Sequence, residues 1–308
     1  MKSLAHRFAK ILLLSICACV LAFAQRTQHV LIVVIDGARY METFGDSAHA
    51  NIPCIWHQLR PLGTIYTSLY NDGVAKTVSG HATILTGTRE SLKNNGTELP
   101  HSPTVFESFR KQKNADTSTC WVALGKSKLH VLAHSDHAEY GSMYAASVKL
   151  SASQYEDSNA WNNARSVLAT YHPYLAIVNL PATDESGHSG NWSTYTGAIK
   201  QADMLVASLW NVIQADSLLR DKTTMIVVND HGRHTTDFSG DGDGCEGCRH
   251  VMLLVLGPDT PAGLIDRSER KLVDVAPTVA RLLGFNMPFA VGTVIESAIA
   301  AKTEKPSP

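Results

Sequence analysis

The sequence contains no run of like charges, no internal repeat and no low-complexity stretch apart from a short polar tail after Ala301. Charged residues make up 18% of the chain, and acidic and basic side chains are nearly equal in number. A nucleic-acid-binding surface needs basic side chains clustered on one face. The composition therefore predicts no such surface.

An apolar run long enough to span a membrane is also missing near the N-terminus. Residues 11–21 are apolar, but a transmembrane helix needs about 20 such residues. Lys2, Arg7 and Lys10 precede the run, and Ala22-Phe23-Ala24 follows it as an A-x-A cleavage motif. We predict a signal peptide over residues 1–24, a secreted or periplasmic protein and no permanent membrane anchor; an uncleaved anchor is the alternative.

Without the signal peptide, 284 of the 308 residues remain, a length that suits one large α/β domain. We assign residues 25–302 to a single catalytic domain and residues 303–308 to a polar tail. Three of the 27 basic residues lie in the signal peptide, so 24 oppose 28 acidic residues and give a net charge near −4. Nothing in the pattern indicates an oligomeric state.

Cysteine is scarce, and only Cys54, Cys120, Cys245 and Cys248 follow the signal peptide. An even number of cysteines in an oxidising compartment favours disulfides. Cys245-x-x-Cys248 predicts a small closed loop and leaves Cys54 to pair with Cys120, although the connectivity stays open. A zinc knuckle would need a second cysteine pair, and a redox motif would normally begin a helix.

Short apolar runs rich in Val, Ile and Leu predict buried parallel strands over residues 30–35, 120–124, 174–180, 224–229 and 251–256. Amphipathic segments predict helices over residues 102–110, 158–170, 195–219 and 275–283. Ser102 begins the first helix as a cap, and Gly284 follows the last at a helix-stop position. The alternation predicts a three-layer α/β fold, with a mostly parallel central sheet covered by helices on both faces.

Three aspartates follow predicted strands. Asp36 and Asp230 come directly after their strands, and Asp184 comes four residues after its strand. In parallel sheets, ligands bind beyond the carboxyl ends of the strands. We therefore expect the three carboxylates at one edge of the sheet.

Histidines accompany these carboxylates. Asp184 and His188 are spaced i, i+4, His231 follows Asp230 directly, and His250 precedes a strand. Carboxylate and imidazole together suit zinc, with Mn²⁺ or Fe as weaker options. Two such ions can activate a hydroxyl and stabilise both oxygens of a phosphoryl transfer. The pattern predicts a two-metal hydrolytic site.

Thr77 supplies a hydroxyl just before the apolar residues 82–85, which predict a helix. The positive end of a helix favours negative charge on such a hydroxyl, and metal coordination would lower its pKa further. The local alternative is that Thr77 or Ser79 simply caps the helix.

Five ordered segments, VVIDGARY, KTVSGHATILTG, DESGH, NDHG and RH before a strand, resemble the alkaline phosphatase superfamily. The nearest resemblance is to its type I phosphodiesterase/nucleotide pyrophosphatase and Thr-dependent phosphatase branches, over nearly all of the chain after the signal peptide. The resemblance implies a Thr77 nucleophile and a phospho-threonine intermediate. It also implies two zinc ions, one held by Asp184, His188 and His250, the other by Asp36, Asp230, His231 and Thr77.

Candidate substrate-binding residues come from the same resemblance. Related enzymes hold a phosphoryl oxygen with an Asn after the nucleophile helix, and Asn94 or Asn95 occupies roughly that region; a simple turn is the alternative. Lys126 and Lys128 resemble the lysine pair that phosphonoacetate hydrolases direct at a carboxylate; solvent-facing lysines are the alternative. Formylglycine sulfatases need a C/S-x-P-x-R motif, which the segment from Thr77 does not match.

These features predict a two-zinc phosphodiesterase or phosphatase acting on a small phosphoester or phosphonate. One alternative is a phosphonoacetate hydrolase-like enzyme that breaks a C–P bond. Another is a metal-binding relative without turnover. A mutase is a further option, although no additional phosphate-handling domain is visible between Thr88 and Thr183.

Overall fold

The structure, a computed structural model, describes residues 26–299, in which strands and helices alternate. The predicted signal peptide and polar tail lie outside the described residues. The strands are β1 (His29–Ile35), β2 (Gly63–Tyr70), β3 (Cys120–Leu124), β4 (Ser147–Leu150), β5 (Leu175–Leu180), β6 (Thr223–Val228), β7 (His250–Leu256), β8 (Leu264–Asp266) and β9 (Arg270–Lys271).

The α-helices are α1 (Thr77–Thr86), α2 (Val105–Lys113), α3 (Asp157–Tyr171), α4 (Ala182–His188), α5 (Trp192–Ala215), α6 (Glu246–Arg249) and α7 (Val275–Leu283). A short π-helix covers Ile55–Leu59. Short 3₁₀ segments lie at Tyr40–Glu42, Arg60–Leu62, Thr117–Thr119, Ser127–Ala133, Gly141–Tyr144, Leu272–Asp274 and Glu296–Ala298. Within residues 26–299, no helix has the length and apolar character needed to cross a membrane.

The nine strands of residues 26–299 form one sheet in the order β4-β3-β5-β1-β6-β7-β2-β8, with β9 also paired to β2. β1 lies between β5 and β6 and is parallel to both. β3 is parallel to β4 and β5. The predicted fold class, a mostly parallel sheet with helices on both faces, is confirmed.

β7 is the exception, because it runs antiparallel to both β6 and β2. The sequence predicts it as a further parallel strand, and that prediction is wrong. A parallel connection needs a crossover, usually a helix, whereas the chain between β6 and β7 contains only the single turn α6. β7 therefore begins at the edge where β6 ends, and the whole connecting loop stays at that edge.

Alternate residues of β1 supply the two halves of the core. Val30, Ile32 and Val34 face a cluster that includes α1, α2 and α7. The intervening residues face the opposite cluster, which includes α3 and α5. A strand buried on both faces reads as a continuous apolar run, which is why β1, β3, β5, β6 and β7 are visible in the sequence. β2 has the mixed sequence GTIYTSLY, which forms no continuous apolar run, and the sequence analysis did not predict it.

The predicted disulfides are wrong, because all four cysteines in the described range carry free thiols. Cys120 belongs to the core on one face of the sheet, whereas Cys54 packs against the other face, so the sheet separates them. Cys245 and Cys248 approach His234 with their sulfur atoms instead of bonding to each other.

Local capping explains where two helices differ from the sequence prediction. α2 begins at Val105, because Thr104 and Glu107 form a reciprocal capping box that replaces the predicted Ser102 cap. α5 ends at Ala215, where the next residue, Asp216, is extended. α7 has the predicted bounds, and Gly284 follows it in the left-handed conformation.

Close packing of α1 on the strand edge leads to a stability prediction. A Cβ added to Gly80 would lie 2.5 Å from the backbone oxygen of Asp230, so Gly80→Ala must push the helix away. We expect a loss of about 1–3 kcal/mol in the free energy of unfolding, measured by urea denaturation.

Gly197→Ala is the matched control, since Gly197 is also helical and a Cβ there meets nothing within 4 Å. This variant should be about 0.5–1 kcal/mol more stable than the native protein, from helix propensity alone. Equal stability of the two variants would contradict the packing argument.

Candidate active site

Three carboxylates meet at the carboxyl ends of neighbouring strands. Asp36 directly follows β1, Asp230 lies two residues after β6, and Asp184 lies in α4, which begins just after β5. Because β5, β1 and β6 are adjacent, their ends bring the three side chains together, and all three are buried.

Two of these aspartates form a cradle with His231. His231 directs Nδ1 at the Gly232 oxygen at 2.8 Å, which leaves Nε2 free as a ligand. That Nε2 lies 3.6 Å from Asp36 Oδ1 and 3.5 Å from Asp230 Oδ2. Among residues 26–299, no hydrogen-bond partner is found for these three buried atoms; His81 Nδ1 lies 3.1 Å from Asp230 Oδ2 but bonds to the Thr77 backbone oxygen. Unpaired buried polar atoms are costly, so the cradle fits a bound cation.

The two neighbouring carboxylates of the cradle, Asp36 and Asp230, also favour a bound cation. Burial raises the pKa of Asp36, and the neighbouring Asp230 raises it further. Burial opposes ionisation of Asp230 as well, but His231 and His81 outweigh this effect and lower its pKa to about 2. Carboxylate oxygens and an imidazole nitrogen are ligands that zinc accepts, and Mn²⁺ or Fe also use them.

His81 and Asn179, which the sequence analysis did not single out, hold the cradle in place. His81 Nδ1 lies 2.9 Å from the Thr77 backbone oxygen and 3.1 Å from Asp230 Oδ2. Asn179 Nδ2 lies 3.1 Å from the other ring nitrogen and donates to Asp36 Oδ2 at 2.9 Å. The i, i+4 spacing of Thr77 and His81 on one helix was the signal that could have found His81.

Asp184 is surrounded by positive side chains. Lys126 Nζ lies 2.6 Å from Asp184 Oδ2 and 2.9 Å from Asp36 Oδ2, and Arg233 Nη1 lies 2.6 Å from Asp184 Oδ1. Burial opposes ionisation of Asp184, yet Lys126 and its other basic neighbours hold its pKa well below the usual range. Asp184 is therefore an ion-paired carboxylate in this structure.

His188 lies beside Asp184, as its spacing predicts, but also contacts the loop before β7. Its Nε2 is 3.4 Å from Asp184 Oδ1 and 3.1 Å from Asp241 Oδ2. Hydrogen bonds to Asp184 and Asp241 raise the pKa of this half-exposed histidine to about 10. Atoms of Asp184, Asp241 and His231 also lie within 4.8 Å of one another, which makes a second, ion-paired group of possible ligands.

The structure does not bring His250 to Asp184 and His188. His250 Nε2 lies 2.9 Å from the Thr67 oxygen, and Nδ1 lies 3.2 Å from Glu246 Oε1. The ring stacks on Tyr40 with centroids 3.6 Å apart. Since both ring nitrogens have partners, His250 has no free ligand atom here.

Thr77 is the first residue of α1 and is buried beside the cradle. Asn94 accepts the Val78 N–H at 3.0 Å and so satisfies one of the free donors at the start of this helix. Asn95 instead accepts hydrogen bonds from the backbone and hydroxyl of Thr97, as the turn alternative predicts.

A cavity of about 400 Å³ opens in front of these residues. Predicted site residues among its lining are Thr77, Asn94, Lys126, Lys128, Asp184 and His188. Lys76 adds a further positive charge. Burial and the nearby Lys126 lower the pKa of Lys128, for which no ion pair is found in the described part of the chain. Glu185 and Asp241 also line the cavity, so its lining carries both basic and acidic side chains.

A family model described as the metalloenzyme superfamily matches residues 130–287. A curated relative, 2,3-bisphosphoglycerate-independent phosphoglycerate mutase of Gracilaria tenuistipitata var. liui, is 26% identical over 114 residues, or 36% of this chain and 21% of the relative. The match therefore spans only about a fifth of the length of the mutase.

Solved structures share the fold at low sequence identity. A protein in the alkaline phosphatase superfamily from Vibrio parahaemolyticus has a TM-score of 0.63 at 15% identity, covering 92% of this chain and 71% of that protein. Phosphonate monoester hydrolase from Silicibacter pomeroyi has a TM-score of 0.64 at 13% identity, covering 91% and 78%. The fold is therefore the one expected from the resemblance to the alkaline phosphatase superfamily.

The cradle leads to a metal-binding prediction. Replacing His231 with Ala removes one of three unbonded ligand atoms, so we expect this variant to bind one divalent ion fewer per chain than the native protein. Metal content after dialysis, together with the rise in melting temperature on adding Zn²⁺ or Mn²⁺, measures the change. His101→Ala, at an exposed histidine paired with Asp136, should retain native metal content. A His231→Ala protein with native content would contradict the assignment.

Asp157 leads to a pH prediction. Burial raises the pKa of Asp157 to about 7. Its Oδ1 accepts the Ala182 N–H at the start of α4, and its Oδ2 has no hydrogen-bond partner among the described residues. The folded protein therefore keeps a proton that the unfolded chain loses above its ordinary pKa of 3.8. The resulting stability is complete below about pH 4 and is lost as the pH rises through about 7.

Asp157→Asn keeps an acceptor oxygen but cannot ionise. Its stability relative to the native protein should therefore increase between about pH 5 and pH 8, on the order of a few kcal/mol. Urea denaturation across this range measures the difference. A difference that is independent of pH would show that Asp157 is ionised in the folded protein.

Proposed function

The chain belongs to the metalloenzyme superfamily, and from that membership we propose that it is a metal-dependent phosphoester hydrolase with Thr77 as its nucleophile. The observation that carries the proposal is the cradle of unbonded, buried atoms from Asp36, Asp230 and His231. His81 lies between this cradle and the backbone of Thr77, so the nucleophile helix and the proposed ligands keep a fixed relation.

Asp36, Asp230 and His231 would hold the ion, and the Thr77 hydroxyl would complete the ligand set. When bound, a divalent cation supplies Lewis acidity here, which lowers the pKa of a hydroxyl and polarises a phosphoryl oxygen. We propose Zn²⁺ because imidazole and carboxylate suit it, with Mn²⁺ or Fe as alternatives.

We propose one ion in this centre, although the resemblance implies a second zinc at Asp184, His188 and His250. Both Asp184 oxygens already contact Lys126 or Arg233. Coulomb repulsion from these two buried cations opposes the entry of a second dication. Lys126 also contacts Asp36 and lines the cavity, so its charge is shared between these two carboxylates at the cavity wall.

In the proposed reaction, the Thr77 hydroxyl gives its proton to solvent and its oxygen attacks phosphorus. The bond from phosphorus to the leaving oxygen breaks, and the leaving group takes that electron pair and a proton from solvent. Water then attacks the phospho-threonine, the Thr77 oxygen leaves and is protonated, and phosphate is released. The N-terminus of α1 favours the negative charge on the Thr77 oxygen in both steps.

The cavity suggests a small substrate that carries more than one anionic group. Its volume of about 400 Å³ suits a small molecule. A phosphoester near Thr77 would leave Lys128 and Lys76 for a second anionic group, and Asn94 for a phosphoryl oxygen. A carboxylate on Lys128 is the arrangement that the phosphonoacetate hydrolase-like alternative requires.

A phosphoryl-transfer enzyme is the second candidate, favoured by the match to a phosphoglycerate mutase. The same phospho-threonine would then pass its phosphoryl group to a second hydroxyl instead of water. Incubation with a phosphomonoester and a large excess of an acceptor alcohol separates the two: inorganic phosphate supports hydrolysis, and a new phosphoester supports transfer.

Isosteric substitutions on one helix test the nucleophile. Thr77→Val keeps the side-chain shape but removes the hydroxyl, so we expect at least a hundredfold lower kcat on p-nitrophenyl phosphate and on bis-p-nitrophenyl phosphate. Thr77→Ser, which keeps a hydroxyl, should retain part of the activity. The ratio of the monoester and diester rates in the native protein identifies the substrate class.

Thr83→Val is the matched control, because Thr83 is buried on the same helix and no partner for its hydroxyl is found within residues 26–299. Its kcat should equal that of the native protein. An active Thr77→Val enzyme would overturn the nucleophile, and a native protein that binds metal but turns over none of these substrates would favour the non-catalytic alternative.

A further inference from the structure

The loop between β6 and β7 gathers four metal-ligating side chains away from the cradle. His234 Nδ1 lies 3.0 Å from Asp243 Oδ2, 3.4 Å from Cys248 Sγ and 3.9 Å from Cys245 Sγ. One donor atom from each of the four residues lies within 4.8 Å of the other three. None of the four belongs to the proposed active centre.

The three separations from His234 Nδ1, 3.0–3.9 Å, are close to the edges of a tetrahedral zinc site. With Zn–S bonds of about 2.3 Å and Zn–N or Zn–O bonds of about 2.0–2.2 Å, tetrahedral ligand atoms lie roughly 3.3–3.8 Å apart. Two sulfurs, one imidazole and one carboxylate form the soft, closed donor set that is typical of structural zinc. The four side chains complete a tetrahedral coordination shell, so the site needs no ligand from a substrate or from water.

Backbone contacts hold the four residues in this arrangement. The Cys245 N–H donates to Asp243 Oδ1 at 3.0 Å, and the His234 N–H donates to the Gly240 oxygen at 2.9 Å. Cys245 is the N-cap residue of α6 and Cys248 lies within its single turn, and both sulfurs approach His234. The loop is therefore shaped around the cluster by its own hydrogen bonds.

We propose that His234, Asp243, Cys245 and Cys248 form a second metal site, a structural zinc site that is separate from the Asp36–Asp230–His231 centre. The two cysteines bind as thiolates, so two thiol protons are released when the ion enters. The pairing that the sequence suggested for Cys245 and Cys248 is replaced by shared coordination.

This site fixes the loop that contacts the active centre. Arg233, which pairs with Asp184, directly precedes His234 in the chain, and Asp241, which contacts His188, lies two residues before Asp243. Arg39 donates from the neighbouring loop to the backbone oxygens of His234 and Thr235. A zinc ion here would thus hold Arg233 and Asp241 in register with Asp184 and His188.

Cobalt substitution tests the proposal through a signal that only sulfur ligands produce. Protein purified with a thiol reductant and without chelator is loaded with Co²⁺, and thiolate-to-cobalt charge transfer is recorded in the near ultraviolet. We expect the intensity of this band to stop rising when one Co²⁺ ion per chain is bound at this site. His231→Ala should keep the band, because the cradle contains no sulfur.

Cys245→Ser and Asp243→Ala should weaken the band or abolish it and lower the zinc content by one ion per chain. Both residues are only partly buried or exposed, so the fold should persist, which circular dichroism verifies. Cys54→Ser, at a partly buried thiol elsewhere, is the matched control and should keep the band and the zinc content. The absence of the band while thiol labelling finds Cys245 and Cys248 free would overturn the proposal, as would a Cys245–Cys248 disulfide that persists in the presence of zinc.

Discussion

The active edge of this protein depends on balancing the charge of three buried carboxylates. Asp36, Asp184 and Asp230 lie within one cluster, where an uncompensated charge would cost several kcal/mol. Lys126 and Arg233 compensate Asp184 and one oxygen of Asp36. Asp230 Oδ1 accepts the Gly37 N–H, whereas Asp36 Oδ1 and Asp230 Oδ2 face His231 and have no hydrogen-bond partner among the described residues. The edge is thus divided into a half filled by side-chain cations and a half suited to a metal ion.

This division gives the two halves different chemistry. A metal ion is a concentrated charge that can coordinate a hydroxyl and a phosphoryl oxygen at once. A buried lysine or arginine supplies charge and hydrogen bonds without coordination, and it cannot be removed by a chelator. Lys126 lies between Asp36 and Asp184. Metal coordination is therefore restricted to the side of Asp36, Asp230 and His231, and the side of Asp184 provides only charge and hydrogen bonds.

The antiparallel β7 connects this chemistry to the loop before it. Because β7 starts where β6 ends, the loop cannot leave the active edge, and Arg233 and Asp241 reach Asp184 and His188 from it. Long loops have few backbone contacts of their own and need other constraints to keep one conformation. The His234 cluster, together with the Arg39 hydrogen bonds, is placed to supply that constraint.

Local pattern was sufficient for much of the fold and for part of the site. Strands buried on both faces appear as apolar runs, so β1 and β6 were predictable, and with them the positions of Asp36 and Asp230. Gly284 marked the end of α7 because only a left-handed residue ends a helix in that way. β2 was missed because its polar and aromatic residues make no apolar run.

The sequence by itself determined which residue types stand at the carboxyl ends of the strands, since strand periodicity and chain order are local properties. Only the tertiary structure decided which of them share a site. Lys126 lies against Asp184, His250 lies against Thr67 and Tyr40, and Cys245 and Cys248 both approach His234. Each of these outcomes depends on side chains from distant segments competing for the same space and charge, and that competition exists only after the sheet has formed.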